Sequence, residues 1–163
     1  MSEDSIMTVK VGVLLPFDFN LYQVGIVLDV LKSTNQYCYD NGIDFRFEIE
    51  IVQTQGQINE NSNAFYNIPV TSTLSEKSYE LVFIPPIETD DISEILEKNK
   101  VFKDWIIEQH EQKAQIYSFS NAIVLLAHSG LLDHQKIGLL GIEDDFFNHF
   151  SSIQKAPVSS VQE

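Results

Sequence analysis

Apolar side chains recur along this chain in two rhythms, one of strands and one of helices. From Thr8 to Leu15 the positions Val9, Val11, Val13, Leu14 and Leu15 crowd together and stop at Pro16, which predicts a strand whose second half is covered on both faces. Asn20 has the character of a helix amino-terminal cap, with Gln23 at capping-box spacing. Leu21, Val24, Leu28 and Leu31 then mark the buried stripe of a helix reaching about Gln36, and Asn41-Gly42 ends the connection. Phe45 to Val52 alternates, with Phe45, Phe47, Ile49 and Ile51 on one face and Arg46, Glu48 and Glu50 on the other. That alternation predicts a strand with one wet face, near a sheet edge.

Thr54 to Asn63 is polar and reads as a loop, Ala64 to Val70 as a short strand or hairpin arm, and Tyr79 to Ile84 as a buried strand stopped by Pro85-Pro86. From Asp90 the period becomes helical through Ile92, Ile95 and Leu96, then Val101, Phe102, Trp105 and Ile106, with a break near Asn99. Glu94, Glu97, Lys98, Lys103, Glu108 and Glu111 fall on the outer faces, where solvation alone explains them. Lys136 to Leu140 predicts one more strand and Ile142 to Ile153 an amphipathic helix carrying Phe146, Phe147 and Phe150. The domain reading is a loose leader at residues 1–7, one α/β domain at 8–154 and a flexible tail at 155–163. Strands alternating with helices predict a three-layer α/β sandwich around a mainly parallel sheet, with ligands outside the strand carboxyl ends.

One stretch organises the rest. Gln115 to Asp133 opens with the short strand Ile116 to Phe119 and passes at Ser120-Asn121 straight into the apolar helix Ala122 to Ala127, closed by Gly130. A strand running directly into a helix forces a sharp turn, and a side chain there stands at the carboxyl end of the sheet, where nucleophile-elbow enzymes keep their nucleophile. Ser120 is the position at which chemistry would sit.

Composition narrows the function. With 24 acidic against 10 basic residues the formal charge is -14, and the clustered Lys and Arg that phosphate contacts need are missing, so this segment is not expected to hold nucleic acid. No apolar run reaches the length of a membrane span, and residues 1 to 8 lack a signal-peptide layout. The single Cys38 permits no internal disulfide, which suits a cytoplasmic protein. Phosphate loops, dinucleotide fingerprints and zinc spacings do not occur, so no cofactor is expected.

Ser118-Phe119-Ser120-Asn121-Ala122, the apolar helix after it and Ser129-Gly130-Leu131-Leu132-Asp133 resemble the elbow of the ThiJ/PfpI superfamily, the class I glutamine-amidotransferase-like fold. The nearest branch resembles the amino-terminal sensor domains of AraC-type transcriptional regulators. The likeness extends to the first strand, bend and helix from Val9 to Asn35 and to Leu81 to Ile84 with Pro85 after it. It implies a flavodoxin-like sandwich, a Cys nucleophile at the elbow, a backbone oxyanion hole and an acidic residue at the start of the first helix. This sequence departs at each point: Ser120 replaces the Cys, Ala122 the Gly two residues on, Gln23 the acid, and Pro85-Pro86-Ile87 a Pro-Gly-Gly turn. Gly138-Leu139-Leu140-Gly141 stands where the family often has a His-Trp pair.

A serine hydroxyl needs an adjacent base. His128 lies eight residues along the helix, roughly 12 Å down the axis, far beyond general-base reach, and reads as a helix-surface or partner-contact residue. Pro86 has no N–H, leaving Ile87 and Asn121 as possible oxyanion donors. Gln23 cannot act as a general acid or base, and capping explains it. Ser120, Asn121, Gln23, Pro86 and Ile87 are therefore candidates to line a pocket once shaped for catalysis. Cys38 reads as a small buried hydrophobe. Asp145 and His149, four apart on a helix, are too few to bind a metal. The expectation is a non-catalytic sensor domain taking a small-molecule effector, homodimeric, with DNA reading located elsewhere. The alternatives are an amidase-like or hydratase-like enzyme using Ser120, or a purely structural dimerisation module.

Overall fold

A computed structural model of the chain describes residues 6–61, 68–138 and 143–156. The strands are β1 (Met7–Leu14), β2 (Phe45–Gln53), β3 (Val70–Ser72), β4 (Leu81–Ile84), β5 (Gln115–Ser118), β6 (Lys136–Ile137) and β7 (Gln154–Lys155). The α-helices are α1 (Leu21–Asp40), α2 (Gln55–Asn61), α3 (Ile92–Asn99), α4 (Lys103–Glu111), α5 (Ile123–His128) and α6 (Glu143–His149). Strands β1 to β5 form one parallel sheet in the order β3-β2-β1-β4-β5.

β1 is the central strand because its sequence can be covered twice over. Val11, Val13 and Leu15 face α1, packing with Val24, Leu28, Leu31 and Ile51. Leu14 faces the opposite core, with Val52, Val82, Ile84 and the inner sides of α3, α4 and α5. The layers are therefore α1, sheet, and the helices after β4, the doubly wound α/β sandwich expected. Setting the short β3 aside, the order of the remaining strands is the flavodoxin one. Gly12 shares the Leu14 face, where a Cβ would stand 3.0 Å from the ring of Tyr79. The missing side chain is what lets that ring lie against the sheet.

Several boundaries differ from the sequence expectations. α1 runs one turn past Gln36 to Asp40, which places Cys38 in the helix and buried. Thr54 to Asn63 is not simply a loop, since Gln55–Asn61 is α2. The signal was present: Thr54 Oγ1 accepts from Gln57 N at 3.3 Å while Gln57 Oε1 accepts from Thr54 N at 2.9 Å, a reciprocal capping box. At Asn20 the box is only half made. Its Oδ1 accepts from Gln23 N at 2.9 Å, but its own N–H donates to Pro86 O at 2.8 Å, so Gln23 does not close it.

β3 pairs parallel with the last three residues of β2, so it is no hairpin arm, and among the described residues Phe45 to Glu50 have no strand partner on that side, near a sheet edge as the alternation implied. The Ala64 end of that expected strand lies outside the described residues. Tyr79 and Glu80 precede β4 rather than belonging to it. The helical break at Asn99 is real: a turn of 3-10 helix at Lys100–Phe102 joins α3 to α4. β6 is two residues long and pairs with β7 as a separate parallel pair, so it does not extend the main sheet, and Leu139-Leu140 lie outside the described residues. α6 is shorter than Ile142 to Ile153, yet Phe146 is fully buried as its position demanded. Met7 is already in β1 and Lys155 in β7, inside the segments expected to be leader and tail.

Gly12→Ala is expected to destabilise the fold by about 1–3 kcal/mol, the usual cost of overpacking. The Tyr79 ring cannot swing away freely because its hydroxyl donates to Glu50 Oε2 at 2.7 Å. Urea unfolding should show a lower midpoint at unchanged slope.

Candidate functional site

β1 and β4 are neighbours whose following connections lead to opposite faces of the sheet, the switch point at which doubly wound folds bind ligands. The two loops leaving these strands are zipped together. Glu88 N donates to Asp18 O at 2.8 Å and Asn20 N to Pro86 O at 2.8 Å, with Phe19 and Ile87 facing as an isolated antiparallel bridge. Asp18 holds a positive φ of 58° in this bend. Its carboxylate meets Lys98 at 2.5 Å, and Lys98 also meets Glu94 at 2.8 Å. Hydrogen bonding to Asp18 first, then to Glu94, raises the Lys98 ammonium above its ordinary range. From the other side Phe17 N donates to Asn99 Oδ1 at 2.6 Å, so the break between α3 and α4 anchors the start of the bend.

The elbow stands beside this zipper. Phe119 N donates to Ile84 O at 3.0 Å, extending the β4–β5 pairing to the threshold of the turn. Ser120 then takes φ of 52°, a left-handed conformation that non-glycine residues adopt uncommonly. The sharp strand-to-helix turn inferred from the sequence is present, with a short 3-10 turn, Ser120–Ala122, inserted before α5. Ser120 is exposed, and its hydroxyl has no hydrogen-bond partner among the described residues.

Asn121 is the residue whose role the sequence did not reveal. It is buried, and its carboxamide is fully committed. Oδ1 accepts from Ile87 N at 2.9 Å, while Nδ2 donates to Ile87 O at 2.8 Å, Thr89 O at 2.7 Å and Asp90 Oδ1 at 3.0 Å. The amide imitates a strand partner for Ile87 and pins the loop between β4 and α3.

This decides what the elbow can do. Ile87 N–H, one of the two donors expected for an oxyanion, is consumed by Asn121 Oδ1, and Pro86 offers none. The backbone N–H of Asn121 is left as the single donor of that pair. His128 lies at the far end of α5, where burial first and then Lys103 hold its imidazole below the ordinary range. Gln23 is exposed on the first turn of α1. Hydrogen bonds therefore join Asn121, Ile87, Pro86 and Asn20 into one cluster next to Ser120, while Gln23 sits at its rim. His149 instead bridges α6 to α3: Nδ1 donates to the backbone oxygen of Asp145 at 2.9 Å, and Nε2 lies 3.4 Å from Ser93 Oγ.

A hollow of about 430 Å³ opens elsewhere, beside the amino-terminal half of β2 and the segment leading into β4, lined by Lys10, Glu48, Glu50, Glu76, Lys77, Ser78 and Tyr79. Glu50 there accepts from Lys77 at 2.6 Å and from the Tyr79 hydroxyl at 2.7 Å. Burial, followed by that carboxylate, pushes the Tyr79 phenol up.

No family model and no curated protein matches the chain. Solved structures do. A candidate transcriptional regulator from Vibrio parahaemolyticus aligns over 91% of this chain and 76% of its own with TM-score 0.70 and 18% identity. An AraC family transcriptional regulator from Pseudomonas putida aligns over 93% and 77% with TM-score 0.53 and 14% identity. A two-domain protein from Anabaena variabilis containing DJ-1/ThiJ/PfpI-like and ferritin-like domains aligns over 95% and 41% with TM-score 0.58 and 15% identity. The shared property is the fold. It is the fold that the elbow motif implied.

Asn121→Ala is expected to cost about 2–4 kcal/mol, because it strands the buried Ile87 N–H and removes the partners of two loop carbonyls. Thermal or urea unfolding measures this loss. Hydrogen exchange at Ile87 should accelerate more than exchange in β1.

Proposed function

We propose that this chain is a non-catalytic regulatory domain of the ThiJ/PfpI kind, resembling the effector-sensing domains of AraC-type transcriptional regulators, with the elbow retained as a binding feature. The observation that carries this reading is the commitment of Ile87 N–H to the Asn121 carboxamide. An acyl-transfer site needs its oxyanion donors free and aimed at the reacting oxygen. Here a side chain of the elbow itself occupies one of them. A serine without an adjacent base adds to the same conclusion, since its hydroxyl is a poor nucleophile unaided.

What remains suits recognition. The exposed Ser120 hydroxyl, the Asn121 backbone N–H and the Gln23 carboxamide at the start of α1 are neutral hydrogen-bonding groups around the switch point. A small polar effector that bridged them would couple α1 to the loop after β4, which are already zipped by Asn20 and Pro86. In this reading DNA is contacted by other parts of a regulator, because a formal charge of -14 opposes phosphate. The competing reading, a hydrolase using Ser120, draws on the left-handed backbone at that residue, the conformation a nucleophile elbow uses.

Screening small polar metabolites by thermal shift separates the two. An effector should raise the melting temperature of the wild type and fail to do so in Gln23→Trp, which adds bulk on an exposed helical turn without touching the core. Ester or amide turnover that disappears in Ser120→Ala would sink the regulatory reading in favour of the enzyme.

A further inference from the structure

The hollow of about 430 Å³ beside β2 lies over the amino-terminal halves of the strands, away from the elbow at their carboxyl ends, and its chemistry is independent of the regulatory reading. Register sets its floor. Lys10 pairs with Glu48 and Gly12 with Glu50, and alternation puts all four on the sheet face that carries Leu14, opposite α1. Gly12 leaves the middle of that floor bare, and the Tyr79 ring lies against it.

The wall, Lys77 to Tyr79, is tied into the fold. The fully buried carboxamide of Gln109 on α4 accepts from Tyr79 N at 3.2 Å and donates to Lys77 O at 3.0 Å. Glu80 locks the end of the wall to the floor: its N–H donates to Lys10 O at 3.0 Å, and its carboxylate accepts from Lys10 N at 2.7 Å. Tyr79 Oη and Lys77 Nζ both donate to the Glu50 carboxylate, at 2.7 and 2.6 Å. A ligand entering here meets walls already in place, so binding bears no cost of ordering them.

The same bonds decide which charges are left for a ligand. Glu50 and Lys77 neutralise one another. The side chains of Lys10, Glu48 and Glu76 line the hollow with no hydrogen-bond or ion-pair partner among the described residues. Two carboxylates and one ammonium therefore remain, and a ligand must carry both signs to satisfy them. An inorganic cation leaves Lys10 unpaired. An anion leaves both carboxylates unpaired and approaches against a formal charge of -14. A small zwitterion meets all three groups and, being neutral overall, is not repelled. We propose that this hollow is a binding site for a free α-amino acid, its ammonium held between Glu48 and Glu76 and its carboxylate at Lys10. The volume falls in the range of small-molecule pockets.

Titrating the isotope-labelled chain with each common free amino acid, followed by amide NMR, tests the proposal. A binder should shift the signals of Lys10, Glu48 and Glu76 to Tyr79 while those of Ser120 and Asn121 stay in place. Glu48→Gln, Glu76→Gln and Lys10→Gln should each weaken binding by about tenfold or more, the loss expected for one charge-assisted hydrogen bond. All three positions are exposed, so the variants should fold. Asp29→Asn, which removes an exposed carboxylate on α1, should bind as the wild type does. The matching amine without its carboxylate and the matching acid without its amine should both bind about tenfold more weakly or worse. No shift with any amino acid, shifts centred on Ser120, or an affinity indifferent to all three glutamine variants overturns the proposal.

Discussion

The carboxamide of Asn121 is the interaction on which the functional end of this molecule depends. It is buried, and it saturates both backbone groups of Ile87 while reaching Thr89 and Asp90. Removing such a group leaves buried donors and acceptors without water or protein partners, which costs far more than a single hydrogen bond contributes. Through it the turn after β5 is rigidly tied to the loop after β4. That loop is in turn zipped to the bend after β1 through Pro86–Asn20 and Asp18–Glu88. Three strand ends thus act as one body, and α1 is carried with them because Asn20 is its cap.

The same bond fixes the chemistry. An elbow that holds a serine in a left-handed backbone conformation has the shape of a catalytic site, but one of its two possible oxyanion donors, Ile87 N–H, is taken up by the Asn121 carboxamide. The regulatory reading proposed above rests on that commitment of Ile87 N–H. The solved structures that this chain resembles share its fold.

Away from that end, the sheet is built on a strand that needs two apolar faces and receives them from helices on opposite sides. The coverage is unequal. Among the described residues, Tyr117 and Phe119 on the sheet and Ile26 and Val30 on α1 are exposed. Scattered apolar residues are ordinary on a protein surface, whereas Phe83, Tyr117 and Phe119 lie ring to ring.

Much of this was legible in the sequence for a physical reason: period and punctuation are local. The crowded apolar run of β1, the alternation of β2, the break at Asn99 and the turn at Ser120 follow from which side chains must be buried and which backbone geometries a few residues allow. The likeness of the elbow motif to ThiJ/PfpI domains pointed to the fold. What the sequence left open were the long-range partners. Asn121 and Gln23 both read as candidate ligand groups, and only packing shows that the first is spent on a loop more than thirty residues away. Asn20 looked like half of a capping box until Pro86, 66 positions on, took its N–H, while the complete box at Thr54 and Gln57 lay hidden in a polar stretch. A hydrogen-bonding side chain has no fixed partner until tertiary structure brings one within 3 Å. The sequence therefore determined the elements and the turn, and the folded chain alone decided which polar groups remain free to act.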